Sequence, residues 1–261
     1  MSRSWDIKRA ADALLAAEAA RKHRSALTDE WPGLDLANAY RVQDEVVSQR
    51  VEAGESIVGM KLGLTSHAKQ RQMGVSSPIT AWLTDGMALN SGVALDTSEL
   101  IHPRVEPEIV FVLGESLEGP GVTAARAMKA VSHVYGGLEI IDSRYTDFRF
   151  RLPDVVADNA SSARFTVGTR GRRPEELDLA LEACVVKING DVIDSATGTA
   201  VLGHPGEALA LAANSLSERQ IGLEAGWLVL TGGMTDAVPT VAGDTVCIEF
   251  THLGSITLQC A

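Results

Sequence analysis

The sequence feature that most constrains this chain is the stretch of residues 102–113, which begins with charged residues and ends as an apolar run. The part from Ile109 to Leu113 is typical of a buried β-strand. Glu106 and Glu108 lie near the start of that strand, and residues i and i+2 of a strand point to the same face. The fold must therefore accommodate two adjacent carboxylates at the start of a core strand.

Two interpretations of the paired glutamates follow from the cost of burying charge. A buried ionised carboxylate without a partner is costly, and two together are worse. A third acid, Glu139, lies in a similar apolar context, and three oxygen ligands on strands suit a hard divalent cation such as Mg²⁺ or Mn²⁺. In the alternative interpretation, Glu106 and Glu108 are solvated and pair with Arg104.

Composition limits the class of protein. The chain has 261 residues and a formal net charge of −11, which argues against a nucleic-acid partner or a membrane surface. A bound metal would still permit an anionic substrate, because it reverses the local field. The three scattered cysteines fit neither a disulfide framework nor a zinc site, so we expect a reducing, cytoplasmic location.

The first 55 residues are predicted to be helical. An amphipathic pattern covers residues 5–24, and a second helix is predicted to begin after a capping Asp35 and to end at Gly54. We predict an N-terminal helical appendage over residues 1–55. A metal-binding, mixed-β catalytic domain is predicted over residues 56–261.

Beyond residue 55, strand patterns outnumber helical ones. The predicted strands cover residues 57–64, 181–188, 192–195, 227–230, 245–250 and 255–260, together with one strand that ends in Ile109 to Leu113 and one that contains Glu139. The predicted helices cover residues 66–73, 123–135 and 205–216, and residues 76–87 are predicted to form a loop. Mixed strands with few helices between them predict an α+β protein with a mostly antiparallel or mixed sheet.

Three further residues are candidates for a site. Lys61 lies between apolar strand residues, so it is either an outward residue of an edge strand or a buried functional cation. Ser161 belongs to a polar cluster that is a turn or the wall of a pocket. Thr231 precedes two glycines that would let it and backbone N–H groups face a ligand, although a plain turn fits equally well.

Six ordered blocks of sequence together resemble the hydratase/decarboxylase branch of the fumarylacetoacetate hydrolase superfamily. The resemblance runs from about residue 35 to the C-terminus. The blocks are Gly-Met-Lys61-Leu-Gly-Leu-Thr, Pro-Arg-Val-Glu106-Pro-Glu108, Leu-Glu139-Ile-Ile-Asp-Ser-Arg, Ala157-Asp-Asn-Ala-Ser161, Gly203-His-Pro and Thr231-Gly-Gly.

The resemblance implies a mixed β-roll with an N-terminal helical part and a Mg²⁺ or Mn²⁺ site. It assigns the metal ligands to Glu106, Glu108 and Glu139 and the active-site lysine to Lys61. It also implies decarboxylation of 2-oxohex-3-enedioate to 2-hydroxypenta-2,4-dienoate in the meta-cleavage catabolism of aromatic compounds. Ser161 and Thr231 are expected to contact this small-molecule substrate.

One departure from the family pattern bears on the type of reaction. Hydratases of this branch usually carry Asp after the proline of the Val75-Ser-Ser-Pro-Ile-Thr segment, whereas this chain has Ile79. Decarboxylation is therefore expected, and hydration of 2-oxopent-4-enoate on the same scaffold is the alternative. The resemblance further implies an oligomer and association with the hydratase that uses the product.

Overall fold

The computed structural model describes residues 5–261. Within that range the helices are α1 (Ile7–Ala19), α2 (Leu27–Glu30), α3 (Leu36–Glu52), α4 (His67–Met73), α5 (Ala124–Ala130), α6 (Leu152–Ala157) and α7 (Pro205–Ser217). The strands are β1 (Ile57–Gly63), β2 (Ile79–Thr84), β3 (Arg104–Leu113), β4 (Val131–Ile141), β5 (Ser162–Val167), β6 (Ala183–Ile188), β7 (Asp191–Thr197), β8 (Leu228–Gly233), β9 (Val238–Pro239), β10 (Thr245–Phe250) and β11 (Ser255–Gln259).

Two sheets organise these strands. The larger sheet has the order β2-β1-β8-β3-β4-β5, with the short β9 paired to β3, and the smaller sheet has the order β11-β10-β6-β7. The β1–β8 pair is parallel and the other strand pairs are antiparallel. The predicted α+β class and the mixed β-roll with an N-terminal helical part are therefore confirmed.

The side chains of β3 point alternately to the main core and to the opposite face of the sheet. Val105, Ile109 and Phe111 are fully buried in the main hydrophobic core, between the larger sheet, the smaller sheet and the helices α5 and α7. Val110 belongs to a different apolar cluster on the other face. Because side chains alternate along a strand, that second face also carries Glu106 and Glu108.

The N-terminal helices pack on this second face of the molecule. Helices α1 and α3 contact each other, α3 also contacts α6, and their apolar side chains share one buried cluster with Ile79 and Ala81 of β2. Residues 1–4 lie outside the described range, and the division between residues 1–55 and 56–261 stays a prediction. None of the described helices combines the length and the apolar character needed to cross a membrane.

The predicted cap of α3 is confirmed. The Asp35 carboxylate accepts a hydrogen bond from the Asn38 backbone N–H at the start of α3. Ser66 caps α4 in the same way, and Gly74 ends that helix in a left-handed conformation at φ 68°. Asn189 and Gly190 form the turn between β6 and β7.

Two local predictions were wrong. Residues 76–87 contain strand β2, because the segment from Ile79 to Thr84 pairs with β1. The helix predicted over residues 123–135 ends at Ala130, and β4 continues through Gly136 and Gly137. Those glycines do not stop a helix. They leave room for neighbouring side chains, since a Cβ at position 136 would lie 2.5 Å from the Phe250 ring.

Candidate active site

The pairing of β3 with β4 brings the three predicted acids together. Glu106 lies directly opposite Glu139, and Glu108 lies two residues further along the same face of β3. One carboxylate oxygen from each of Glu106, Glu108 and Glu139 lies within 4.8 Å of the others. Glu108 and Glu139 are almost fully buried, and the Glu106 side chain is 13% exposed. The structure therefore places three carboxylates around one small volume.

Glu108 is the most strongly desolvated of the three. Its Oε2 accepts a 2.6 Å hydrogen bond from the Gly232 backbone N–H, whereas its Oε1 is buried and has no hydrogen-bond partner within residues 5–261. Burial raises the pKa of Glu108 well above its ordinary value, and the neighbouring carboxylates of Glu139 and Glu106 raise it further. A bound cation would compensate for the missing partner of this buried carboxylate oxygen.

Lys61 pairs with Glu139 across the curled sheet. Its Nζ lies 3.0 Å from Glu139 Oε1 and 3.1 Å from Oε2. Strands β8 and β3 separate β1 from β4, so in a flat sheet the two strands would be about 14 Å apart. The contact therefore shows that this face is strongly concave. Lys61 is 4% exposed on an interior strand, which excludes the edge-strand interpretation.

Glu106 lies at the outer side of the cluster. Lys69 of α4 places its Nζ 3.8 Å from Glu106 Oε1 and 3.6 Å from Asp236 Oδ1. Burial raises the pKa of Glu106; Lys69 partly offsets this effect, and Glu139 adds to it. The alternative in which the glutamates are solvated partners of Arg104 is wrong, because the Arg104 guanidinium lies over a different group, the ring of Phe148.

When all three carboxylates are ionised, the charges of this cluster do not balance without a further cation. Glu106, Glu108 and Glu139 supply three carboxylates, and the neighbouring ammonium groups belong to Lys61 and Lys69. The donor set is made only of oxygen atoms, which suits Mg²⁺ or Mn²⁺ better than zinc or copper. Together with the orphaned Glu108 oxygen, this arrangement fits a hard divalent cation.

A polar cavity of about 250 Å³ adjoins the cluster. Lys69 and Gly233 line it, and both are next to Glu106, since a Cβ at position 233 would lie 2.8 Å from Glu106 Oε1. Two larger cavities of about 510 and 560 Å³ lie elsewhere, and neither has Lys61 or a glutamate of the cluster in its lining. The smaller cavity is therefore linked to the carboxylates through Lys69 and Gly233.

The hydroxyl groups of Ser161 and Thr231 face protein groups in this structure. Ser161 Oγ donates to Asp158 at 3.3 Å, and Thr231 Oγ1 donates to the Ile109 carbonyl at 2.8 Å. Both residues are next in sequence to groups that touch the cluster. Ser162 Oγ donates to Glu139 Oε1 at 3.4 Å, and Gly232 N–H donates to Glu108.

A buried ion pair fixes the turn that carries Ser162. Arg144 donates to the Asp158 carboxylate and also to the carbonyl of Ser162 at 3.2 Å. Burial raises the pKa of Asp158 to about 6 despite this pairing. The side chain of Asn159 bonds the Trp82 backbone through two 2.9 Å hydrogen bonds. These contacts hold the segment between α6 and β5 against β2 and β4.

Sequence reasoning missed three groups at this site. Lys69 occupies a polar helix of ordinary composition, Ser162 is adjacent to the residue that was singled out, and the Gly232 N–H is a backbone group. The only signal available was the Thr231-Gly-Gly block, which predicted backbone N–H groups facing a ligand. In the structure, the Gly232 N–H faces a carboxylate of the cluster instead.

Comparison with known proteins finds a matching family and similar sequences. The sequence profile described as fumarylacetoacetate (FAA) hydrolase C-terminal matches residues 56–260. A 4-oxalocrotonate decarboxylase from Pseudomonas sp. (strain CF600) is 42% identical over 233 residues, which cover 89% of this chain and 88% of that protein. A 2-hydroxyhexa-2,4-dienoate hydratase from Comamonas testosteroni is 38% identical over 235 residues, which cover 89% of each.

A solved structure is also similar over the whole chain. It is a 4-oxalocrotonate decarboxylase from Pseudomonas putida G7, complexed with magnesium and adipate. The TM-score is 0.96 at 39% sequence identity, and the alignment covers 100% of both chains.

Proposed function

The chain belongs to the fumarylacetoacetate hydrolase family, and from that premise we propose that it is a metal-dependent carboxy-lyase acting on 4-oxalocrotonate (2-oxohex-3-enedioate). The product is 2-hydroxypenta-2,4-dienoate, and the reaction belongs to the meta-cleavage catabolism of aromatic compounds. The observation that supports the proposal is the buried cluster of Glu106, Glu108 and Glu139, which lies beside a polar cavity. In this cluster Glu108 Oε1 has no hydrogen-bond partner among the described residues, and a bound cation would provide one.

Glu106, Glu108 and Glu139 would hold Mg²⁺ or Mn²⁺. When bound, the metal supplies Lewis-acid polarisation of the ketone of a 2-oxo acid. The Gly232 N–H and the Ser162 hydroxyl each donate to one of these carboxylates and so orient the ligand oxygens. The magnesium in the Pseudomonas putida decarboxylase structure supports this assignment.

Lys61 is the proposed catalytic residue. An ammonium group has three N–H donors, and Lys61 donates one of them to Glu139 Oε2 at 3.1 Å. The remaining donors are left to orient and polarise the oxo-acid end of the substrate, where negative charge develops. Ser161 and Thr231 are proposed to contact the substrate, after their hydroxyl groups turn from the acceptors that they now face.

The substrate carries its own electron sink, so no organic cofactor is needed. The bond between C5 and C6 breaks, and C6 leaves as CO₂. The electron pair forms a C4=C5 double bond, and the C3=C4 pair moves to C2=C3, which leaves the ketone oxygen negatively charged. That oxygen takes up a proton to give the dienol.

A hydratase acting on 2-oxopent-4-enoate is the second candidate, because hydratases of this family are also similar to this chain. Ile79 opposes it. In the register of β1 and β2, Ile79 lies opposite Gly63, on the same face as Lys61 and two residues along. Its side chain is buried against apolar neighbours, so it offers neither a base nor a polar anchor for water.

One experiment separates the two candidates. Purified protein with Mg²⁺ receives 2-oxohex-3-enedioate while CO₂ release is followed, and then 2-hydroxypenta-2,4-dienoate while formation of 4-hydroxy-2-oxopentanoate is followed. We expect CO₂ from the first substrate and little hydration of the second. Rapid hydration without CO₂ release would refute the assignment to the decarboxylases but not the metal site.

The remaining expectations from the resemblance are also proposals. They are self-association, association with the hydratase that consumes the dienol, and location in the cytoplasm. Size-exclusion chromatography with and without that hydratase tests the first two. Co-elution that depends on both proteins would support the association.

A further inference from the structure

Lys69 is a cation that the proposed reaction does not yet use. It lies on α4, and its side chain is 39% exposed at the mouth of the glutamate cluster. Its Nζ is 3.8 Å from Glu106 and 3.6 Å from Asp236, and both distances exceed that of a hydrogen bond. A bound divalent cation would engage Glu106, which leaves Lys69 with the almost fully exposed Asp236 as its partner.

The cavity beside the cluster has a charge imbalance that bears on its ligand. Lys69 is the one cationic residue of the lining, whereas Asp194 and Asp236 are acidic. The other polar lining side chains belong to Ser66, Ser195 and Thr235. An anionic group that enters this cavity therefore finds a single ammonium and a small number of hydroxyl groups to replace its water.

A 2-oxo diacid needs recognition at both ends. Its 2-oxo acid end is directed to the metal and Lys61, and Lys61 is already committed to Glu139 inside the sheet. A second carboxylate that enters the adjoining cavity needs a partner there, because leaving it desolvated and unpaired would cost binding.

We propose that Lys69 binds the carboxylate of the substrate that lies away from the metal, and that this contact selects 2-oxo diacids over 2-oxo monoacids. The inference rests on the proposed function, because it assumes a 2-oxo acid held at the glutamate cluster. Lys69 acts on binding. The carboxylate loses its charge as CO₂ leaves, so the contact weakens during the reaction, and its removal raises KM without lowering kcat.

The test uses two ligands of equal chain length that differ at one end. 2-Oxoadipate ends in a carboxylate and 2-oxohexanoate in a methyl group, and neither has the C3=C4 double bond that decarboxylation needs. Their affinities for the Mg²⁺-loaded full-length protein are measured by isothermal titration calorimetry. The variants are Lys69→Met, the charge-conserving Lys69→Arg and, as a control at an exposed site on α5, Lys129→Met.

We expect the wild type, Lys69→Arg and Lys129→Met to prefer the diacid by about tenfold, as for one charge-assisted hydrogen bond at a partly exposed site. Lys69→Met should bind the two ligands within about twofold of each other, with unchanged affinity for 2-oxohexanoate, which also shows that it is folded. A diacid preference retained in Lys69→Met, or absent from the wild type, would overturn the role of Lys69. Failure of the wild type to bind either ligand would instead refute the proposed function and the inference with it.

Discussion

Replacing Glu108 by Gln should weaken metal binding and stabilise the metal-free protein. Glutamine has nearly the same shape, so the fold should be kept, and its carbonyl oxygen can still accept from the Gly232 N–H. Its amide NH₂ would take the place of the buried Oε1, which now has no hydrogen-bond partner in residues 5–261. That group can donate to a neighbouring carboxylate of the cluster.

The magnitude follows from the spacing of the charges. Two carboxylates 4.8 Å apart repel each other by about 3.5 kcal/mol at an effective dielectric constant near 20. The raised pKa of the buried Glu108 favours proton uptake, which reduces this repulsion. We therefore expect a net gain of about 1 kcal/mol in the unfolding free energy of the metal-free variant. Losing one of three anionic ligands should weaken Mg²⁺ binding by at least about a hundredfold.

Two measurements check this prediction. Isothermal titration calorimetry gives the Mg²⁺ affinity, and thermal unfolding in EDTA gives the stability of the metal-free protein. Glu115→Gln makes the same chemical change at an exposed residue after β3 and should alter neither quantity. Wild-type Mg²⁺ affinity in Glu108→Gln, or full activity at limiting Mg²⁺, would refute the assignment of this carboxylate to the metal.

Three further predictions follow from the same contacts. Lys61→Met should bind Mg²⁺ but lose about a hundredfold or more in kcat. Without metal its melting temperature should fall, because Glu139 is left buried without its counterion. Near-normal turnover would make Lys61 a structural residue. In EDTA, the wild type should lose stability relative to Glu108→Gln as the pH rises. The raised pKa of Glu108 means that the folded state holds a proton which the unfolded chain has already released, so rising pH favours the unfolded chain. A difference in melting temperature between the two proteins that does not change with pH would contradict this. Ile79→Asp should gain only weak hydratase activity and melt at a lower temperature, since the new carboxylate would be buried against Gly63 without groups that support it. Rapid hydration by this variant would show that residue 79 alone sets the reaction.

The sequence was most informative where a physical rule acts over a few residues. Alternation along β3 placed Glu106 and Glu108 on one face, and the capping residue Asp35 located the start of α3. Each of these signals depends on neighbours within four positions, so it does not depend on how distant parts of the chain pair.

The errors occurred where distant pairing decides the structure. Residues 131–135 carry β-branched and aromatic side chains, yet the helix that precedes them and the two glycines that follow suggested one continuous helix. Pairing with β3 extends them instead. The segment from Ile79 to Thr84 likewise became a strand only because β1 was available as its partner.

The composition of the site was only partly accessible for the same reason. Lys69 is 37 positions from Glu106 in the sequence, and no spacing rule connects α4 with β3. The residue pattern suggested Glu139 as a third ligand, and the resemblance to a family added Lys61 to the same site. The structure added the distances between them and the contribution of Ser162.

The parallel pairing of β1 with β8 has a consequence for how the protein is made. It sets Lys61 beside Leu230, so the strand that carries the proposed catalytic lysine acquires one of its two neighbours only after strands β2 to β7 have been synthesised. The β3–β4 hairpin, with all three glutamates, is synthesised long before that point. Until β8 arrives, the gap between β1 and β3 leaves two strand edges unpaired, and such edges favour aggregation. Newly made protein should therefore depend on chaperones late in synthesis, and removal of the C-terminal strands should be more damaging than their distance in sequence from Glu106 suggests.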